Sequence, residues 1–181
     1  MKISPKSFVE MRHEEFRSRA LPALMSIGFQ RCPMGKPYWG SEPHGGFQYD
    51  LCRLRTNCIL ELLTVYIIKR RNRRFQIEYN QVEISSTVGD LRELKNVDDL
   101  PFRIPPVSKT KMEIPPMRWI GEPCWPSQYK IPLWRLWFGV GIQNSIKDEI
   151  TRMIADLENF ERFVRHWEKT KDRVKLDLSS Q

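Results

Sequence analysis

The side chains whose types and spacing could do chemistry in this sequence are a run of cations, three histidines and three acids spaced as on a sheet. Lys69, Arg70, Arg71, Arg73 and Arg74 are five of the six residues from 69 to 74. Clustered guanidinium groups pair with phosphates or carboxylates, so the run points to an anionic partner. A solvated hairpin tip is the plain alternative. The histidines stand at 13, 44 and 166. "HEEF" at 13–16 is followed by Arg17 where a zinc-protease helix would carry its second histidine, so His13 reads as an exposed helix residue. His44, in the Gly-rich "SEPHGGF", is the best general-base candidate, but no nucleophile accompanies it. His166 beside Trp167 reads as boundary packing. Asp50, Glu61 and Glu78 fall on one face of the expected sheet and could form an acid pair; solvated sheet carboxylates are far commoner. Cysteines at 32, 52, 58 and 124 include no C-x-x-C pair, and no Cys/His spacing suits a metal. "HGG" and "GVG" are too short for phosphate loops. No catalytic residue, metal or cofactor is assigned, and the chain reads as a non-enzyme.

A chain of 181 residues is long enough to bury one sizeable core. Of the net charge of +8, the segment 69–74 supplies +5, which leaves +3 for the rest. The charge is therefore local. A second basic stretch, 102–141, has six Lys or Arg against two Glu, whereas 75–101 is acidic, six against two. Such asymmetry makes an oriented field that steers an anionic partner. The N-terminus has no apolar signal-peptide core, and no apolar run reaches the roughly 18 residues that span a bilayer. The expectation is a cytoplasmic protein with free thiols and no membrane contact.

Several elements must position these groups. A loose apolar stripe through Phe8, Met11, Phe16, Ala20, Leu24 and Ile27 predicts a helix over 7–27, capped by Ser7 with Glu10 and stopped by Gly28. Pro22 predicts a kink near 18–21. Three antiparallel strands are expected at 47–55, 60–68 and 75–79. Turns at Thr56 and Asn57 and at Arg71 and Asn72 would place Phe47 opposite Tyr66, Leu51 opposite Leu62 and Tyr66 opposite Ile77. After Tyr79 the apolar parity moves to Val82 and Ile84, which a bulge near Asn80 and Gln81 would produce. Residues 101–132 hold eight of the thirteen prolines, with Trp119 and Trp125 among them, and read as a Pro/Trp-rich loop or partner-binding arm. "LWRLWFGVG" at 133–141 reads as one more strand. Ile146, Ile150, Met153, Leu157, Phe160, Val164 and Trp167 step by fours and threes, which predicts one long helix capped by Asn144 or Ser145.

The fold expected is α+β: an antiparallel β-meander sheet of about four to six strands, with an N-terminal helix and a long C-terminal helix on one face. It forms a single domain over 1–178, with a frayed tail at 179–181. This order, helix, "LMSIGF", antiparallel strands and a long C-terminal helix, resembles a broad group of small bacterial α+β domains of unknown function. Some proteins of that type act as immunity proteins beside toxins. The resemblance implies a protein-binding, toxin-neutralising module. Lys69, Arg70, Arg71, Arg73, Arg74, Trp119 and Trp125 are the expected contacts to another protein with an acidic surface. The alternative is a nucleic-acid-binding protein using 69–74 and 102–141.

Overall fold

The computed structural model of the chain describes residues 5–34, 37–42, 45–68, 74–96, 128–131, 135, 138, 140–170 and 174–176. The N-terminal stripe folds as helix α1 (Pro5–Glu15), a wider π-type turn (Phe16–Ala20) and helix α2 (Leu21–Ser26). Pro22 accounts for the break, because it has no N–H for the carbonyl four residues back and its ring crowds that carbonyl. Ser7 lies inside α1, not at its cap. The stop at Gly28 is as expected. Gly28 adopts φ 95°, its N–H bonds Met25 O at 3.0 Å, and Phe29 N–H reaches Leu24 O at 3.2 Å. This is a Schellman closure, with Phe29 and Leu24 packed in the same core. A Cβ on Gly28 would meet Arg53 Cδ at 3.7 Å, an ordinary contact. Gly28→Ala is therefore expected to cost about 1 kcal/mol, all of it backbone strain. Urea unfolding measures it, and a cost near zero would mean that the turn relaxes.

The sheet has seven strands: β1 (Gln30–Arg31), β2 (Trp39–Glu42), β3 (Gly46–Thr56), β4 (Ile59–Ile68), β5 (Arg74–Ile84), β6 (Gln128–Lys130) and β7 (Val174–Leu176). β3, β4 and β5 form the antiparallel meander. β1 and β2 pair with β3, while β6 (antiparallel) and β7 (parallel) pair with β5. The register differs by one residue from that expected: Phe47 faces Ile67, Leu51 faces Leu63, and Val65 faces Ile77. In the first hairpin the cause is the turn, which uses Asn57 and Cys58 and is preceded by an irregularity between Leu54 and Thr56. Tyr66 is thereby moved to the opposite face.

One face carries Tyr49, Leu51, Leu63, Val65, Ile67, Phe75, Ile77 and Tyr79, all buried beneath the helices. The expected bulge near Asn80 is absent, since the β4–β5 register is constant from Ile59 with Glu83 to Ile67 with Phe75. Val82 and Ile84 are buried for another reason. At this end a second core forms on the other face, where Cys52, Leu60 and Leu62 meet Val88, Leu91 and Leu94 of the segment around the 3-10 helix (Leu91–Asn96). Val88 N–H to Asn57 O, 2.7 Å, ties that segment to the hairpin turn.

The C-terminal stripe also divides, into α3 (Ile142–Leu157) and α4 (Phe160–Thr170). The bonds from Glu158 N–H to Ala155 O and from Asn159 N–H to Asp156 O tighten the turn between them. α3 starts three residues before the expected caps, at left-handed Gly141. Ile150, Met153, Leu157, Phe160 and Val164 are buried as expected, and Phe163 joins them. Both helical units lie on the same sheet face, so the chain is an α+β protein. Within 133–141, where a strand was expected, the described residues Arg135 and Phe138 are helical and Val140 has no regular structure; 133, 134, 136, 137 and 139 lie outside the described residues. No helix among the described residues is long and apolar enough to cross a membrane.

Candidate functional site

The site grows from the end of the sheet where β4 passes to β5. Ile67 opposite Phe75 is the last pair of that ladder. The next residues, 69–73, lie outside the described structure, as do Trp119, Trp125 and His44. Arg74 begins β5, and across from it stands Lys130 of β6, with Tyr129 beside Phe75. β6 is the last part of the Pro/Trp-rich stretch. One strand pairing thus brings together the last residue of the cationic run and the end of the proline-rich connection. Ile131, directly after β6, packs with Phe8, Ile142 and Ile146, so the start of α3 is fixed at the same end. Between them, Arg135 Nη1 donates to Ser145 Oγ at 2.6 Å, and Phe138 and Val140 stand 73% and 64% exposed.

The floor beneath this edge is held by charges inside the core. Arg12, 1% exposed, donates through Nη2 to both oxygens of Glu149, at 3.0 and 2.9 Å. Its guanidinium lies over the rings of Phe8 and Phe75, at 4.7 and 5.1 Å. Such contacts suit a cation that must live out of water. Burial nonetheless pushes the Glu149 carboxyl up to about 8. His13 is not the exposed residue expected. Its ring stacks on Phe47 at 3.6 Å, and Nε2 lies 2.6 Å from Tyr49 Oη. Burial lowers the His13 pKa and Arg17 lowers it further, so the ring is neutral at pH 7.

The acids nominated from the sequence are held by hydrogen bonds and ion pairs within the fold. Asp50 and Glu78 do share a face, flanking Thr64, whereas Glu61 is on the opposite one. Asp50 accepts from Tyr38 N–H, Gln48 Nε2 and Thr64 Oγ1, and Glu78 from Gln76 Nε2 and Tyr66 Oη. Glu61 is fully buried and accepts from Arg53, Arg55 and Tyr79 Oη. Glu161 bridges the same two arginines from α4. Burial opposes charge on Arg53 and Arg55, but these carboxylates outweigh it and raise both pKa values. A polar cleft of about 660 Å³ opens beside them, lined also by Gly28, Asp90 and Leu91. Its arginines already serve as the clasp between α4 and the sheet. Cys32, Cys52 and Cys58 are free thiols. Among the described residues no three His, Cys, Asp or Glu are grouped to hold a metal ion.

Of the seven residues expected to contact a partner, only Arg74 is placed, at a backbone position beside Lys130. Trp39 is in β2, edge-on to Tyr49 at 5.3 Å. The sequence reading missed Phe138 and Val140. The signal was there: "LWRLWFGVG" does not alternate, and its two glycines mark a turn, not a strand. The chain matches no protein-family model, no curated protein and no solved structure.

Proposed function

We propose that this chain is a non-enzymatic protein-binding module that takes an acidic protein surface at the hairpin end of its sheet, through Lys69, Arg70, Arg71, Arg73, Arg74, Trp119 and Trp125. The observation that supports the reading is the pairing of Arg74, the last residue of the cationic run, with Lys130 near the end of the Pro/Trp-rich connection. Cations give long-range steering, and tryptophans on a connection give anchoring area. A toxin-neutralising role is the narrower form of this reading, and it rests on the resemblance in element order. A nucleic-acid platform is less well supported, because it needs aromatic rings open for stacking. Tyr49, Phe75 and Tyr79 are instead buried beneath helices.

Exchange of Arg70, Arg71, Arg73 and Arg74 for glutamine separates the two readings. It is expected to change stability by less than about 0.5 kcal/mol. It should weaken binding to a labelled poly-glutamate chiefly at low salt. Fluorescence anisotropy at about 50 and 200 mM salt, with single- and double-stranded oligonucleotides in parallel, supplies the comparison. Sub-micromolar oligonucleotide binding, with a salt slope that the fourfold variant flattens by up to about four phosphate contacts, would replace the protein partner with a nucleic acid.

A further inference from the structure

Two thiols meet in the second core, at the edge of the sheet. Gln30 pairs with Cys52 and Arg31 with Leu51, and Cys32 N–H carries the ladder on to Asp50 O at 3.1 Å. Cys32 thus stands across from Asp50, two residues from Cys52 along β3, and strand residues two apart share a face. Both cysteines join one apolar cluster with Met34, Leu60 and Leu62, and they are 1% and 0% exposed. The Cys32 thiol is a hydrogen-bond neighbour of the Cys52 thiol, and this contact, with burial, holds the Cys52 pKa well above the ordinary thiol value. The strands that carry the pair are unequal. β3 has eleven residues and is paired along both edges, whereas β1 has two, both exposed, at the outside of the sheet. After Cys32 the chain leaves the ladder and rejoins it at Tyr38, whose carbonyl accepts from Asp50 N–H at 3.0 Å. Cys32 is therefore the first leg of an excursion that starts and ends at Asp50.

We infer that Cys32 and Cys52, free thiols in this structure, form a reversible disulfide that ties β1 to β3 and closes the loop carrying β2. Diagonal neighbours on paired strands lie about 7–8 Å apart at Cα, slightly beyond the roughly 4.4–6.8 Å that a disulfide spans. β3 is held on both sides, so the two-residue edge strand makes the small approach. A bridge formed this way keeps some strain and belongs to the readily reduced kind. The oxidant is a small-molecule disulfide such as glutathione disulfide. Buried thiols are inert, so reaction waits for β1 to open locally. The Cys32 thiolate then attacks one sulfur of the oxidant and expels one glutathione thiolate. As the edge closes, the Cys52 thiolate attacks Cys32 Sγ in the mixed disulfide and expels the second. The two thiol protons pass to the two glutathiones. Two protein thiols are oxidised, and one small disulfide is reduced to two thiols. The inference is independent of the protein-binding reading.

The test uses the folded full chain with Cys58→Ser and Cys124→Ser, which leaves only these two thiols, and the same chain with Cys32→Ser added. After incubation with glutathione disulfide without denaturant, thiol titration of the unfolded product is expected to find neither thiol. Its mass should fall by two hydrogens, with no glutathione attached, and peptide mapping should place the bond between 32 and 52. The urea midpoint should rise, because the bridge constrains the unfolded chain. Reduced glutathione should restore both thiols and the original midpoint. The chain with Cys32→Ser should take up at most one glutathione and show no rise. Three results overturn the inference. Both thiols could survive in the folded chain under an oxidant that bridges it in urea. Each cysteine could instead carry its own glutathione. The bridge could form and lower the midpoint, which would show that it distorts the edge it is inferred to hold. A bridge that reduced glutathione leaves intact would overturn its reversibility.

Discussion

Leucine in place of Glu149 is expected to destabilise the protein by about 3–5 kcal/mol, clearly more than methionine in place of Arg12. The asymmetry follows from chemistry. Without Glu149, Arg12 is a buried cation, 1% exposed, that has lost its acceptor and cannot shed its charge. Without Arg12, Glu149 escapes by holding a proton, a state that burial already favours by raising its pKa to about 8. The double variant should recover most of the loss, because two apolar side chains suit this position. The sign of the pH dependence follows too. A carboxyl with a folded pKa of about 8 against an ordinary 4.5 adds stability that is complete below 4.5 and is lost as pH rises through about 8. Stability should fall in that window by at most about 1.4 kcal/mol per pH unit, and Glu149→Gln should remove that slope. His13 works the other way. Its folded pKa lies below 6.5, so its contribution is present above 6.5 and lost as pH falls through the folded value. Urea unfolding from about pH 5 to pH 8 reads both. A wild-type curve identical to that of Glu149→Gln would sink the assignment.

Phe160→Ala is expected to cost about 3–5 kcal/mol. Phe160 begins α4 and is 2% exposed. It meets Phe29 and Tyr79 edge-on at 5.4 and 5.7 Å, and the Arg53 guanidinium lies over its ring at 4.9 Å. Its neighbours belong to the sheet and to a strand entry, which cannot collapse together into the space it would leave, so the cavity cost is paid in full. Met25→Ala, at a side chain 50% exposed, is the control and should stay near 0.5 kcal/mol. A Phe160→Ala cost below about 1 kcal/mol in two-state unfolding would show that the ring does not lock α4 onto the sheet.

Much of this architecture is legible in the sequence, and the misreadings have specific causes. Phe47, Tyr49 and Leu51, and Phe75, Ile77 and Tyr79, alternate with polar residues, so the outer strands of the meander declare their faces. β4 does not. Leu60 and Leu62 are as apolar as Leu63, Val65 and Ile67, and a slip of one residue left the pattern equally good. β4 is apolar on both faces because it serves two cores, which also explains Val82 and Ile84 without a bulge. The break at Glu158 and Asn159 has no Gly or Pro to announce it and leaves the stripe in phase. The ion pair was visible in principle. Arg12 sits four residues from both Phe8 and Phe16, and Glu149 four before Met153, so each charge interrupts an apolar face. Of the candidate edge, the sequence marked the cationic run but not its neighbour, since strand pairing between Arg74 and Lys130 is a long-range choice that local periodicity does not encode.

The placement of the covering helices sets a schedule for synthesis. The strands of the meander and the N-terminal helices have all left the ribosome once Ile84 emerges, but the helices that complete the cover over Tyr49, Leu63 and Ile77 begin only at Ile142. Arg12 waits even longer for a partner 137 positions on. In that interval the nascent chain carries an aromatic and branched face that is only partly covered, the kind of surface that recruits chaperones or other unfinished chains. The cations of 69–74 sit between two of its strands, where mutual repulsion keeps neighbouring nascent chains from stacking edge to edge. The cluster proposed above to meet a partner would thus also guard the fold before any partner exists.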